Sequence, residues 1–126
     1  MRDNNLTQLI FSQQLVSVMN RTKWRELAIV LTSNKDFLPT VRLGYLDGYE
    51  TGFSPLDWEW VKYGESRVVK WLEIDPIRHE WVGRLVDEQR TDFSAWVRES
   101  LLKHSIPFVE DNGLFHIDAY LQPATA

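Results

Sequence analysis

From Thr40 to Tyr45 apolar and polar positions alternate, with Val41, Leu43 and Tyr45 set against Thr40, Arg42 and Gly44. That is the period of a strand with one buried face. Just upstream the period is helical, because Trp24, Leu27, Ala28 and Leu31 recur at i, i+3, i+4 and i+7. Asn20-Arg21-Thr22 offers capping side chains before this helix, and Thr32-Ser33-Asn34 ends it. Asn5 to Met19 also reads as a helix, but a two-sided one. Leu6 and Ile10 lie on one side, with Phe11, Leu15, Val18 and Met19 nearly opposite. Such a helix is either sandwiched within its own fold or offers one side to a second copy, as a homodimer.

Asp47-Gly48 is a hairpin signal, with Tyr49 to Phe53 returning so that Leu43 faces Gly52 and Gly44 faces Thr51. Each glycine then makes room for a bulky neighbour or a bulge. The stretch DWEWVKYGESRVVKWLEIDP, Asp57 to Pro76, holds Trp58, Trp60 and Trp71 and reads as the centre of the sheet. Two strands are expected around Gly64-Glu65, Asp57–Tyr63 and Ser66–Ile74. The second is interior, because Val68, Val69, Trp71, Leu72 and Ile74 place apolar groups on both faces.

Asp75-Pro76 then suits a helix start, and Ile77, Trp81, Val82, Leu85 and Val86 would form that helix's apolar side until Arg90-Thr91-Asp92 breaks it. A further helix follows, with Phe93, Trp96, Val97, Ser100 and Leu101 facing inward. The last element is a hairpin, Phe108–Glu110 against Leu114–Tyr120, turned by Asn112-Gly113. Strands group with strands and helices with helices, which predicts an α+β fold. Its antiparallel sheet is a meander of about four strands plus a C-terminal hairpin, packed with about four helices.

Composition narrows the function classes. The 126 residues suit a single domain over residues 1–121, with 122–126 as a disordered tail. Fourteen Lys and Arg against 18 Asp and Glu give a formal charge of −4, which argues against direct binding of nucleic acid and favours a basic partner. No cysteine is present, so disulfides, thiolate chemistry and cysteine-based zinc sites are excluded. No run approaches the length of a membrane span and the N-terminus lacks a signal-peptide pattern, so a cytoplasmic location is expected and no membrane contact.

Candidate chemistry is sparse. His79, His104 and His116 show no metal-ligand spacing, no glycine pattern fits a phosphate loop, and no serine sits in a nucleophile motif. No cofactor is implied. His116 and Asp118 would share a strand face, so a small intracellular enzyme built on that pair is one reading. A self-associating structural protein using the first helix is another. The acidic residues suit an ordinary solvated face or a docking surface better than catalysis, and docking is suggested because tryptophans flanked by carboxylates resemble an interface hot spot with a charged rim. Asp57, Glu59, Glu65, Glu73, Asp75, Glu110 and Asp111 are the electrostatic candidates, with Trp58 and Trp60 as anchors.

Three fragments, Thr22-Lys-Trp-Arg-Glu-Leu27, Trp71-Leu-Glu-Ile74 and Ile106-Pro-Phe108 followed by Phe115–Tyr120, resemble the signposts of an uncharacterised family of small bacterial proteins. In general type the chain also resembles the immunity proteins of bacterial toxin systems, including contact-dependent growth inhibition. That resemblance implies a non-enzymatic protein that binds a cognate toxin domain, often a basic nuclease, and occludes its active or substrate-binding surface.

Overall fold

The computed structural model describes residues 15–55, 59, 65–81, 83–85 and 87–121, with the backbone alone for Glu65. Helix α1 (Arg21–Leu31) begins where the capping residues predict. The Asn20 side chain accepts the Lys23 amide hydrogen at 2.8 Å, satisfying one of the orphan donors of the first turn. At the other end the Thr32 hydroxyl and amide both bond the Ala28 carbonyl. Trp24, Leu27, Val30 and Leu31 are buried on one side.

Five strands form the main sheet: β2 (Thr40–Tyr45), β3 (Ser54–Pro55), β4 (Val69–Asp75), β7 (Val109–Asp111) and β8 (Leu114–Asp118). Their spatial order is β3-β2-β4-β8-β7 and every pairing is antiparallel. The interior strand expected from its two-sided apolar pattern is therefore β4, at the centre. Alternation divides the sheet into two faces. Val41, Leu43, Leu72, Ile74, Phe115 and Ile117 join Trp24, Leu27 and Leu31 of α1 and Val97 and Leu101 of α2 (Ser94–Lys103) in one buried cluster. Fully burying each such side chain contributes on the order of 1.5–3 kcal/mol.

The fold class differs from the α+β expectation of about four helices. Among the described residues there are two α-helices, and the structure is mostly β, in one five-stranded and two two-stranded antiparallel sheets. The largest change lies after Pro76. Instead of a helix, Ile77–Glu80 (β5) and Gln89–Asp92 (β6) pair as a two-stranded arm, with Ile77 opposite Asp92 and Glu80 opposite Gln89. The Asp75 carboxylate accepts the Ile77 amide at 2.9 Å, and the Phe93 amide closes the base onto the Pro76 carbonyl. Helical spacing of Ile77, Trp81 and Leu85 was misleading, because Trp81 and Leu85 have no core to enter: both are exposed. With no apolar face to bury, a helix gains little over a hydrogen-bonded ladder.

The first predicted helix changes too. Val16–Ser17 is a strand (β1) paired with Tyr120–Leu121 (β9), and the Val18 and Met19 amides bond the Ala119 carbonyl. Pairing with a segment a hundred residues away overrides the local pattern at this end. Leu15 is buried in the core, while residues 1–14, on which the homodimer expectation rests, lie outside the described residues. The expected strand Asp57–Tyr63 also lies outside them except for Glu59, which is helical and exposed. The tail 122–126 is outside as well.

Turn chemistry follows the sequence at one hairpin and departs from it at the other. Asn112 and Gly113 both take positive φ, 53° and 78°, as a two-residue hairpin between β7 and β8 requires. At Asp47-Gly48 only the glycine does, with φ 93°. The Asp47 carboxylate instead holds the Tyr49 amide at 3.1 Å, and Gly44 pairs with Glu50 rather than Thr51. The extra residue is absorbed before Ser54, which pairs with Val41.

Candidate functional site

The face of the sheet away from the core is organised by its register. Arg42, Glu73 and His116 lie abreast on β2, β4 and β8, and in the next row so do Gly44, Trp71 and Asp118. Arg42 grips the Glu73 carboxylate through both Nε, at 3.0 Å, and Nη2. The other Glu73 oxygen receives His116 Nδ1 at 3.3 Å, and His116 Nε2 reaches Asp118 at 3.0 Å. The Arg42 guanidinium lies over the rings of Trp71 and Phe53, 5.3 and 5.7 Å from their centroids. Cation–π attraction adds to the ion pair there. Trp71 and His116 are neighbours at 5.5 Å between ring centroids.

This arrangement brings the predicted His116–Asp118 pair together and adds Glu73 and Arg42 to it. Both imidazole nitrogens face carboxylate oxygens, which only accept, so making both bonds takes two N–H donors. In this geometry each ring nitrogen lies against a carboxylate. The network links β2, β4 and β8 across the sheet.

A second histidine is held the same way at the base of the arm. His79 Nε2 lies 3.0 Å from Asp75, and Nδ1 contacts Glu88. The Asp75 hydrogen bond, with help from Glu88, raises the His79 pKa above the ordinary 6.5. A raised folded-state value means a stabilising contribution that is complete below the unfolded value and disappears as pH climbs through the folded one. Replacing His79 with Gln is therefore expected to lower the melting temperature most at mildly acid pH, with the gap to wild type shrinking towards alkaline pH. Melting curves of both proteins between about pH 6 and 8 check this, and a gap independent of pH contradicts it.

Three of the predicted acidic candidates, Glu73, Asp75 and Glu110, have partners within the chain. Glu73 is satisfied by Arg42 and His116 and only 15% exposed. Asp75 is occupied by His79 and the Ile77 amide. Glu110, on edge strand β7, accepts two bonds from Arg98 at 2.9 and 2.6 Å, which hold its carboxyl below the usual range. Asp111 and Glu59 are exposed. Asp57, Trp58, Trp60 and the Glu65 side chain lie outside the described residues. Among the described residues, no group of three His, Cys, Asp or Glu side chains is placed to hold a metal ion.

What sequence reasoning missed is the tip of the arm. Trp81 is 73% exposed and Leu85 fully so. Gly83 between them and Asp87 after them are turn-forming residues within a supposed helix, and they were the available signal.

Fold and site together define a small, mostly β protein with a self-satisfied polar sheet face and a projecting, apolar-tipped arm. The chain belongs to a family of unknown function, DUF6678, whose model matches residues 6–124. No curated protein and no solved structure matches it. No helix among the described residues is long and apolar enough to cross a membrane.

Proposed function

We propose that the chain is a cytoplasmic binding protein of the immunity type, which docks on a basic toxin domain and neutralises it by covering its active or substrate-binding surface. The observation that carries the docking reading is the exposure of Trp81 and Leu85 on the arm. An indole left in water with an aliphatic neighbour is the composition of an interface anchor, and isolated monomers gain nothing from it. Between Glu80 and Glu88 the arm carries three acidic residues and one basic, Glu80, Asp87 and Glu88 against Arg84. Glu80 and Glu88 already face Arg78 and His79, so it is the chain's charge of −4 that steers a basic partner. Saturation of both imidazole nitrogens of His116 and of His79 by carboxylates favours binding over acid–base chemistry.

The toxin half of the reading rests on the resemblance in type, and it has its own test. The partner retained by the tagged protein is assayed for nuclease or other toxic activity with and without a stoichiometric amount of the full chain. Inhibition is expected. A stable complex whose partner stays fully active would leave the docking surface standing and remove the neutralising role.

A further inference from the structure

Where β2 ends, the chain turns back on itself and a pocket of about 250 Å³ opens there, lined by Tyr45, Asp47, Tyr49 and Val68. Its walls are held from several sides. The Tyr45 amide bonds the Tyr49 carbonyl at 2.8 Å, the Leu46 amide bonds the Val68 carbonyl at 2.9 Å, and the Asp47 carboxylate accepts the Tyr49 amide at 3.1 Å. Leu46, 5% exposed, anchors the turn in the core. A ligand entering here has little backbone to order, which lowers the cost of binding it.

The rings of Tyr45 and Tyr49 lie 5.8 Å apart between centroids, tilted by 38°, and Tyr49 is 64% exposed. Beside them stands an unopposed charge. Asp47 is exposed and, apart from the Tyr49 amide on one oxygen, it enters no ion pair among the described residues. Glu73, Asp75 and Glu110 differ in this respect, since each has a cation or a histidine against it. Glu50, next to Tyr49, is exposed and also in no ion pair among the described residues, and no described lining residue is basic. Burial above all, then Tyr49 and the Asp47 charge, push the Tyr45 hydroxyl above its ordinary pKa of 10.0. At neutral pH the pocket therefore offers two uncharged aromatic rings and a carboxylate, the combination that attracts a cation.

We infer that this pocket receives the guanidinium group of an arginine side chain on a partner protein, stacked against the Tyr49 ring and hydrogen-bonded to the Asp47 oxygen that the Tyr49 amide leaves open. Chemistry selects the guanidinium. It is planar, weakly hydrated and able to stack on an aromatic face while bonding a carboxylate, whereas an ammonium is a compact and strongly hydrated point charge. The volume admits one side-chain end and falls below the roughly 300–1,000 Å³ of sites for larger small molecules. The inference rests on the docking reading only for the basic protein that supplies the arginine. Its residues lie at the other end of β4 from the arm, because Tyr45 pairs with Val69 while the arm follows Asp75.

The test is an NMR titration of the full chain at low salt with an end-blocked Gly-Arg-Gly peptide, following the amides of Leu46, Asp47 and Tyr49. The citrulline peptide is the neutral isostere, and the lysine peptide keeps the charge without the plane. Saturable shifts at these amides are expected with arginine at millimolar concentration, weaker binding by about threefold or more with lysine, and no saturable response to citrulline. Tyr49→Ala and Asp47→Asn should each weaken arginine binding by about threefold or more, as loss of an exposed cation–π or charge-assisted contact does. Both side chains are exposed, and Asn keeps an acceptor for the Tyr49 amide, so folding is spared. Amides that do not saturate with arginine, an equal response to citrulline, lysine bound as tightly as arginine, or undiminished affinity in both variants would overturn the inference. The peptides touch no residue of the arm, so any of those results would remove the pocket and leave docking through Trp81 and Leu85 standing.

Discussion

Gly44→Val is expected to lower the unfolding free energy by about 3 kcal/mol, the upper part of the range for forcing extra volume into a packed site. A Cβ at residue 44 would overlap the Cε2 and Nε1 atoms of the Trp71 indole, which lies directly across the bare glycine on the neighbouring strand. The clash has no cheap escape. The indole is boxed in by Arg42 and His116, and β2 and β4 are the paired strands at the centre of the sheet. Urea unfolding measures the loss directly. In a Trp71→Leu background the same substitution should cost less by more than about 1 kcal/mol, because residues in contact do not behave additively. Equal costs in both backgrounds would show that the indole is not the obstacle.

The second large effect is on binding, with stability spared. Trp81→Ala is expected to weaken partner affinity by about 2 kcal/mol or more, roughly 30-fold, as truncation of an interface hot spot does. Leu85→Ala acts in the same direction. Because both side chains are exposed in the isolated protein, the unfolding free energy should stay within about 0.5 kcal/mol of wild type. This separation of binding from stability is the signature of an interface residue. A core tryptophan such as Trp24, 3% exposed, would lose both together. Titration against the purified partner, beside urea unfolding of each variant, distinguishes the cases.

Much of the sheet was legible because strand alternation reports directly which face is buried. Val41 and Leu43 read correctly from alternation, as did α1 with its Asn20 cap. The arm was not, because Ile77, Trp81 and Leu85 carry a helical period whose meaning depends on whether a core lies opposite them. Periodicity shows which side chains share a face and is silent on what covers that face. β1 was hidden for a related reason: its partner is at the far end of the chain, and a long-range pairing leaves no local mark on Val16 and Ser17.

The site was half legible. His116 and Asp118 were placed on one strand face by spacing, and the structure joins them. Their partners Arg42 and Glu73 arrive from two other strands, and only the register brings those together. Acidic residues chosen for docking were read by charge alone. In the fold Glu73, Asp75 and Glu110 each have a cation or a histidine as neighbour, so their charge is largely spent within the molecule.

The most direct test of the proposed docking is a paired capture experiment. Tagged wild type and a folded double variant, Trp81→Ala with Leu85→Ala, are exposed in parallel to a lysate of the source organism at low salt, and the retained proteins are quantified by mass spectrometry. Docking through the arm predicts a basic protein held stoichiometrically by wild type and lost from the double variant. The same protein retained equally by both would contradict it.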